Sequence, residues 1–187
     1  MRYSAEHKAQ TREKLLASSG ALAKRGGFSS TGVDGLMKAI GLTGGAFYGH
    51  FSSKDELFAA IVERELSHSL ELLGSEEASR DKLQRCLDLY LSMQHVEQPD
   101  SGCAIPSLGA EIARADHSVR ELAEHWLIRL QQAWAKELAD PQLAWAILAQ
   151  CVGALVVARM LASRESQADV LHSSRTLISS QLVDPAQ

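Results

Sequence analysis

Thr31 and Thr43 each stand where a short apolar-periodic stretch begins, and Lys54 stands where a longer one begins. Hydroxyls and unpaired backbone N–H groups at helix starts, with the positive end of the helix dipole behind them, bind phosphate oxygens, and a lysine adds a point charge to the same task. The segment that holds the threonines runs Ser30-Thr31-Gly32-Val33-Asp34-Gly35-Leu36-Met37-Lys38-Ala39-Ile40-Gly41-Leu42-Thr43-Gly44-Gly45-Ala46-Phe47-Tyr48-Gly49-His50-Phe51. Val33, Leu36, Met37 and Ile40 share a helical face with Thr31 as N-cap, Gly41 stops that helix, and Thr43 caps a second one through His50. Two short helices joined by a glycine-containing turn make a helix-turn-helix, whose second helix presents its N-terminal residues to the major groove. The chemistry of such a segment is recognition of double-stranded DNA.

Cys103 is the other residue with chemical potential. It follows Pro99-Asp100-Ser101-Gly102 and opens an apolar-periodic stretch, where helix amides favour a thiolate, so an oxidant- or electrophile-sensing thiol is an alternative reading and a helical thiol enzyme a third. Cys86 and Cys151 sit among leucines and read as small core groups. Catalytic signatures are otherwise missing: the seven histidines include no i, i+4 pair, Glu121 and His125 read as a surface pair, and no phosphate loop, G-x-S-x-G elbow or dinucleotide fingerprint occurs. No catalytic residue, metal site or cofactor is expected.

The elements that must position these residues are all helical. Apolar spacing predicts helices over 5–25, closed by Gly26-Gly27, then 32–40, 44–50 and 54–73, the last opened by Ser52-Ser53 with Asp55 and Glu56 in its first turn and carrying Leu57, Ile61, Leu66, Leu70 and Leu73. Further helices fit 79–97, 104–115, 118–138, 141–163 and 167–183, about nine in all, with no strand period. Nine of the 13 glycines precede residue 50, so short, tightly turned pieces come first and long ones follow. Charge divides in the same place: residues 1–64 carry a net +3, hidden inside an overall −4. That acidic average argues against an architectural protein binding DNA indiscriminately. Three cysteines without a C-x-x-C pair, and an N-terminus lacking an apolar core, point to the cytoplasm. Ala144–Ala162 approaches the length of a membrane span, but Gln150 and Arg159 lie within it; the expectation is a helix buried against its own core on one side and a partner subunit on the other, with no membrane.

The sequence Leu42-Thr43-Gly44-Gly45-Ala46-Phe47-Tyr48-Gly49-His50-Phe51-Ser52-Ser53-Lys54-Asp55-Glu56-Leu57 resembles the DNA-binding region of the TetR family of transcriptional regulators, over about residues 8–62. Gly102-Cys103-Ala104-Ile105-Pro106-Ser107-Leu108-Gly109-Ala110-Glu111 resembles a segment of some members. The resemblance implies an all-α chain with a three-helix helix-turn-helix head (1–53) and a helical effector-binding and dimerisation body (54–187). It implies a homodimer binding a pseudo-palindromic operator and released by a small molecule. By position, Thr31, Thr43 and Lys54 would contact phosphates, Tyr48 and His50 phosphates or base edges, and Gly44, Gly45 and Ala46 would face the bases. Many relatives carry a larger polar or basic residue where Gly44 stands, so direct readout through side chains is sparse here and DNA shape carries more.

In the body, Leu66, Leu70, Leu87, Tyr90, Leu91, Met93, Cys103, Trp126 and Trp134 are placed to line a pocket, and their character favours a mostly apolar or aromatic effector. The subunit interface is expected from the last two helices at Leu148, Val152, Leu155, Val156, Arg159, Leu171 and Ile178, with Gly153 allowing close approach.

Overall fold

The computed structural model describes residues 5–73 and 80–182. The expected helix start at 79 and end at 183, and the side chain of Leu73, lie outside the described residues. Among those described, every regular element is an α-helix: α1 (Ala5–Gly26), α2 (Val33–Ala39), α3 (Gly44–Phe47), α4 (Lys54–Leu73), α5 (Arg80–Tyr90), α6 (Met93–Glu97), α7 (Ile105–Arg114), α8 (His117–Leu138), α9 (Pro141–Met160) and α10 (Arg164–Leu182). The all-α expectation therefore holds, with four local differences. The stretch expected as one helix over 79–97 breaks at Ser92, whose extended backbone (φ −115°, ψ 156°) and hydroxyl, accepting from His95 N–H, start α6 afresh. Gly32, not Thr31, occupies the N-cap of α2. The α-helical ladder of α3 stops at Phe47, and residues 48–50 continue as a turn in which Gly49 N–H bonds Ala46 O and His50 N–H bonds Phe47 O. The α9–α10 junction falls at 161–163, where the Ser163 hydroxyl accepts Ser166 N–H and starts α10 earlier than expected.

Glycine closes the first two helices as its freedom at positive φ allows. Gly27 (φ +86°) ends α1 and donates to Ala23 O at 2.8 Å, and Gly41 (φ +74°) ends α2.

Packing forms two apolar clusters. In the first, Leu15, Leu36, Met37, Phe47 and Phe51 of the head meet Leu57 and Ile61 of α4, Leu108 of α7 and Ala123 of α8, and the Phe28 and Phe58 rings stack at 4.7 Å. The second lies between α5, α8, α9 and α10, around Leu87, Trp134, Ile147, Leu155 and Ile178. By length and composition α9 could cross a membrane, with mean hydropathy 1.8. Instead its Ala144, Ile147, Cys151, Leu155 and Ala158 are buried, and Arg159 bonds inward to α6 and α7, the arrangement of a core helix.

Phe47 is fully buried at the centre of the helix-turn-helix. Phe47→Ala should therefore cost about 3–5 kcal/mol, read as a lowered midpoint in chemical denaturation with the denaturant slope unchanged.

Candidate nucleic-acid interface and body cavities

Thr43 holds the N-cap backbone of α3 (φ −86°, ψ 153°) with no hydrogen bond from its side chain into the helix, which leaves the hydroxyl free for an outside acceptor. Thr43 and Gly45 are exposed, Thr31, Gly44 and Ala46 are half-buried, and Tyr48 is 69% exposed with its ring edge-on to Phe47. Gly44 has a local reason: a Cβ there would overlap Oδ1 of Asp34, whose carboxylate reaches across from α2 to the start of α3. Any larger residue at 44 has to displace that carboxylate. Lys54 is placed by a capping pair, Ser52 N–H and Oγ–H donating to Glu56 Oε2 at 2.7 and 2.6 Å while Ser53 Oγ accepts Glu56 N–H at 3.0 Å. Its ammonium lies 4.7 Å from the Phe28 ring centre and donates to Ser29 O at 3.3 Å. His50 is half-buried with Nδ1 unpartnered, and its pKa is lowered by burial first and by nearby Lys8 and Arg12 next. Those two cations extend the basic edge beyond the expected residues, Arg12 lying 4.7 Å over the Phe51 ring. Their signal in the sequence was their shared helix face, since Lys8 and Arg12 are four apart.

Among the described residues there are several cavities where one pocket was expected, and two of them take in residues from the expected set. The first, about 390 Å³, lies between α1, α4, α5 and the α6–α7 loop and is lined by Lys24, Glu65, His68, Ser69, Cys86, Leu89, Tyr90, Ser101, Gly102 and Cys103. The second, about 460 Å³ and almost wholly apolar, is lined by residues of α4, α7, α8 and α9 that include Leu66, Gly109, Ile112, Leu127 and Trp145. Of the expected pocket residues, Tyr90 and Cys103 reach the first and Leu66 the second. Leu87, Leu91 and Trp134 fill the second core, Leu70 and Met93 pack against it, and Trp126 packs on the first core with its indole N–H unpartnered. Apolar periodicity marks a buried face without saying whether the face meets atoms or empty space. Cys86, expected in the core, lines the first cavity, whereas Cys151 is buried and its thiol is pushed up to about 12 by that burial.

Cys103 lies two residues ahead of α7, because Ala104 takes the N-cap and Pro106 the first turn. The amides that would favour a thiolate are thus displaced from it. His95 holds its backbone: Cys103 N–H donates to His95 Nε2 at 3.0 Å, so the ring proton sits on Nδ1 and is given to Tyr90 O at 2.8 Å. A Cβ on Gly102 would overlap that ring. The Tyr90 hydroxyl is deeply buried beside the Cys103 thiol, and burial and the thiol raise its pKa well above the ordinary value. On the surface, Glu121 pairs with His117 at 3.3 Å rather than with His125, which packs edge-on to Trp126.

Several contacts not expected from the sequence join head to body. Lys24 Nζ meets Glu65 Oε2 at 2.6 Å and Gly102 O at 2.9 Å, with both side chains buried. Glu111 of α7 accepts from Phe28 N–H, Ser29 N–H and Ser29 Oγ–H. Glu65 falls four residues after Ile61 and Lys24 eight after Leu16, so opposite charges on two otherwise apolar faces were the available signal. Of the expected interface residues, Leu148, Leu155, Leu171 and Ile178 fill the protomer's own core, Arg159 donates inward to Ser107 Oγ and His95 O, and Val152 is half-buried. Val156 alone is exposed, on an open face of α9 with Trp145, Gly153, Val157 and Met160.

A helix-turn-helix head with a free-standing recognition turn on a helical body defines a helix-turn-helix transcriptional regulator. Residues 15–61 match the profile of the bacterial regulatory proteins of the tetR family, so the chain carries a domain of that family. It is 26% identical over 181 residues to an HTH-type transcriptional regulator in lacX 3′ region of Lactococcus lactis subsp. lactis, covering 88% of this chain and 92% of that one. To the HTH-type transcriptional repressor NemR of Escherichia coli K12 it is 31% identical over 115 residues, 59% of this chain and 58% of NemR. Its fold is shared with the crystal structure of E. coli NemR in reduced form (TM-score 0.80, 24% identity, 95% of this chain and 100% of that one). A TetR regulator from Chloroflexus aurantiacus J-10-FL shares it too (TM-score 0.78, 23% identity, 94% and 95%).

His95 generates a pH dependence. Burial lowers its pKa from 6.5, the bond to Tyr90 O opposes that, and Arg159 and Lys24 add to the lowering. The neutral ring accepts from Cys103 N–H, so its contribution to stability is whole above pH 6.5 and is lost as pH falls through the lowered value, with His50 acting in the same sense. Thermal unfolding of the wild-type chain should lose more between pH 7.5 and 5.5 than that of His95→Gln; equal losses would show that the ring does not carry the effect.

Proposed function

We propose that the chain is a repressor that binds a pseudo-palindromic operator as a homodimer in the cytoplasm and is released by a small-molecule effector. The observation that carries the reading is the exposed start of α3, with Thr43, Gly45 and Tyr48 outward and Lys8, Arg12 and Lys54 beside it, inside the segment matched to the family. Thr31, Thr43 and Lys54 would engage phosphates, with Tyr48 and His50 at phosphates or base edges and Gly44, Gly45 and Ala46 against the groove floor. Lys54 leaves only a carbonyl and a ring face to do so. The dimer would form through the open face of α9 at Trp145, Gly153, Val156 and Met160 together with Leu177 of α10, all exposed apart from a partner. The effector site is the cavity at Tyr90 and Cys103, which joins those two side chains to the Lys24–Glu65 pair that ties head to body. Its occupant is mostly apolar or aromatic, with one polar group turned to Lys24 and Tyr90. Binding acts by its differential affinity for two dimer geometries, one of which no longer matches the half-site spacing.

Selection of bound fragments from genomic DNA at physiological salt should enrich one pseudo-palindrome. Binding without sequence preference would instead mark an architectural protein. Lys8→Ala should then weaken binding across all sequences and reduce the slope of log affinity against log salt by about one for each head.

A second reading has its own observation: Cys103 and Cys86 both line the Tyr90 cavity, which makes thiol modification a route to the same release. If it holds, a maleimide should release the wild-type chain from DNA and leave Cys103→Ser bound. An unchanged response in the variant removes this reading.

A further inference from the structure

α7 lines the apolar cavity and is bonded to the head, and the loop that leads into it borders the Tyr90 cavity. Its lead-in, Ser101–Cys103, borders the Tyr90 cavity, and its Gly109 and Ile112 line the apolar one. From the same helix, Glu111 crosses to the α1–α2 turn, where Oε1 accepts Phe28 N–H at 2.8 Å and Oε2 accepts Ser29 N–H at 2.9 Å and Ser29 Oγ–H at 2.7 Å. Burial would raise the pKa of this carboxyl, but the three bonds outweigh it and hold the value low, so the group stays ionised and its bonds charge-assisted. The approach depends on Gly27: a Cβ there would lie 3.0 Å from Oε1, tighter than a relaxed contact. Ser29 is also gripped from its other end, its carbonyl accepting from Lys54 Nζ. One residue thus joins α7, the turn that aims α2 and α3, and a cation of the proposed DNA surface.

We infer that Glu111 is a positioning residue for operator binding: from α7, its carboxylate holds the α1–α2 turn that sets the head. This rests on the DNA-binding reading and adds to it the path between body and head.

Glu111→Gln keeps the length and one acceptor oxygen but turns an NH₂ group toward the Ser29 donors. Amide exchange at Phe28 and Ser29 should accelerate at least about tenfold in the variant while α4 keeps its protection. Affinity for the selected operator should fall about tenfold, equivalent to about 1.4 kcal/mol, with the salt slope unchanged because no phosphate contact is lost. Ser29→Ala, which removes one donor and no charge, should weaken binding less, and combined with Glu111→Gln should add almost nothing. Wild-type affinity in Glu111→Gln, additive effects in the double variant, or a salt slope reduced as in Lys8→Ala would each overturn the positioning role. A wild-type chain that enriches no fragment would be a failure of the DNA-binding reading, recognisable because it precedes any variant.

Discussion

Helices α2 and α3 together offer few apolar side chains, and the head cannot enclose a core with them alone. Phe47, Phe51 and Met37 are buried in one apolar cluster that also takes in Leu15 of α1, Leu57 and Ile61 of α4, Leu108 of α7 and Ala123 of α8. That shared core is the constraint on which the rest depends. A head packed on its own would turn freely on the chain, whereas one that completes its core with body helices inherits whatever positions those helices take. Mechanical linkage between the head and the body helices follows from packing before any specific bond is considered.

Polar contacts then choose one arrangement of that packed joint. Lys24 and Glu65, both buried, meet each other and Gly102 O, and Arg64 takes the second oxygen of Glu65 at 2.9 Å while reaching Glu13 at 2.8 Å. A buried ion pair contributes little net stability against an apolar replacement, but an unmatched partner is costly, so the pair penalises every registry of α1 on α4 except the one that satisfies it. Glu111 does the same for the α1–α2 turn, and Arg159 for the seat of α9 against α6 and α7. Apolar contacts hold the layers together and are tolerant of sliding; these directional bonds are not.

The family's head was legible because its signals are local. Glycine at 27 and 41, a serine cap at 52–53 and apolar residues at helical spacing each act within one turn of chain, and the resemblance at 42–57 rests on contiguous residues. Tyr48 and Thr43 are exposed on the turn that holds α3. The body was legible only as helices. Leu87, Leu91 and Trp134 look like pocket walls and Leu155 and Ile178 look like an interface, yet all five fill the protomer's core. Helical periodicity reports that a face is covered, and it is silent about what covers it.

What the sequence determined by itself was the set of helices, most of their ends, the nature of the head and the +3 charge concealed in a −4 chain. These follow from interactions between residues a few positions apart, whose geometry the backbone dictates. Tertiary structure alone decided that Lys24 meets Glu65, that Glu111 reaches Ser29 across 82 positions, that His95 rather than a helix dipole governs the setting of Cys103, and that the expected pocket residues divide between separate cavities. Each depends on how helices distant in sequence are laid against one another, and that is settled by packing the whole apolar surface at once, which no local pattern encodes.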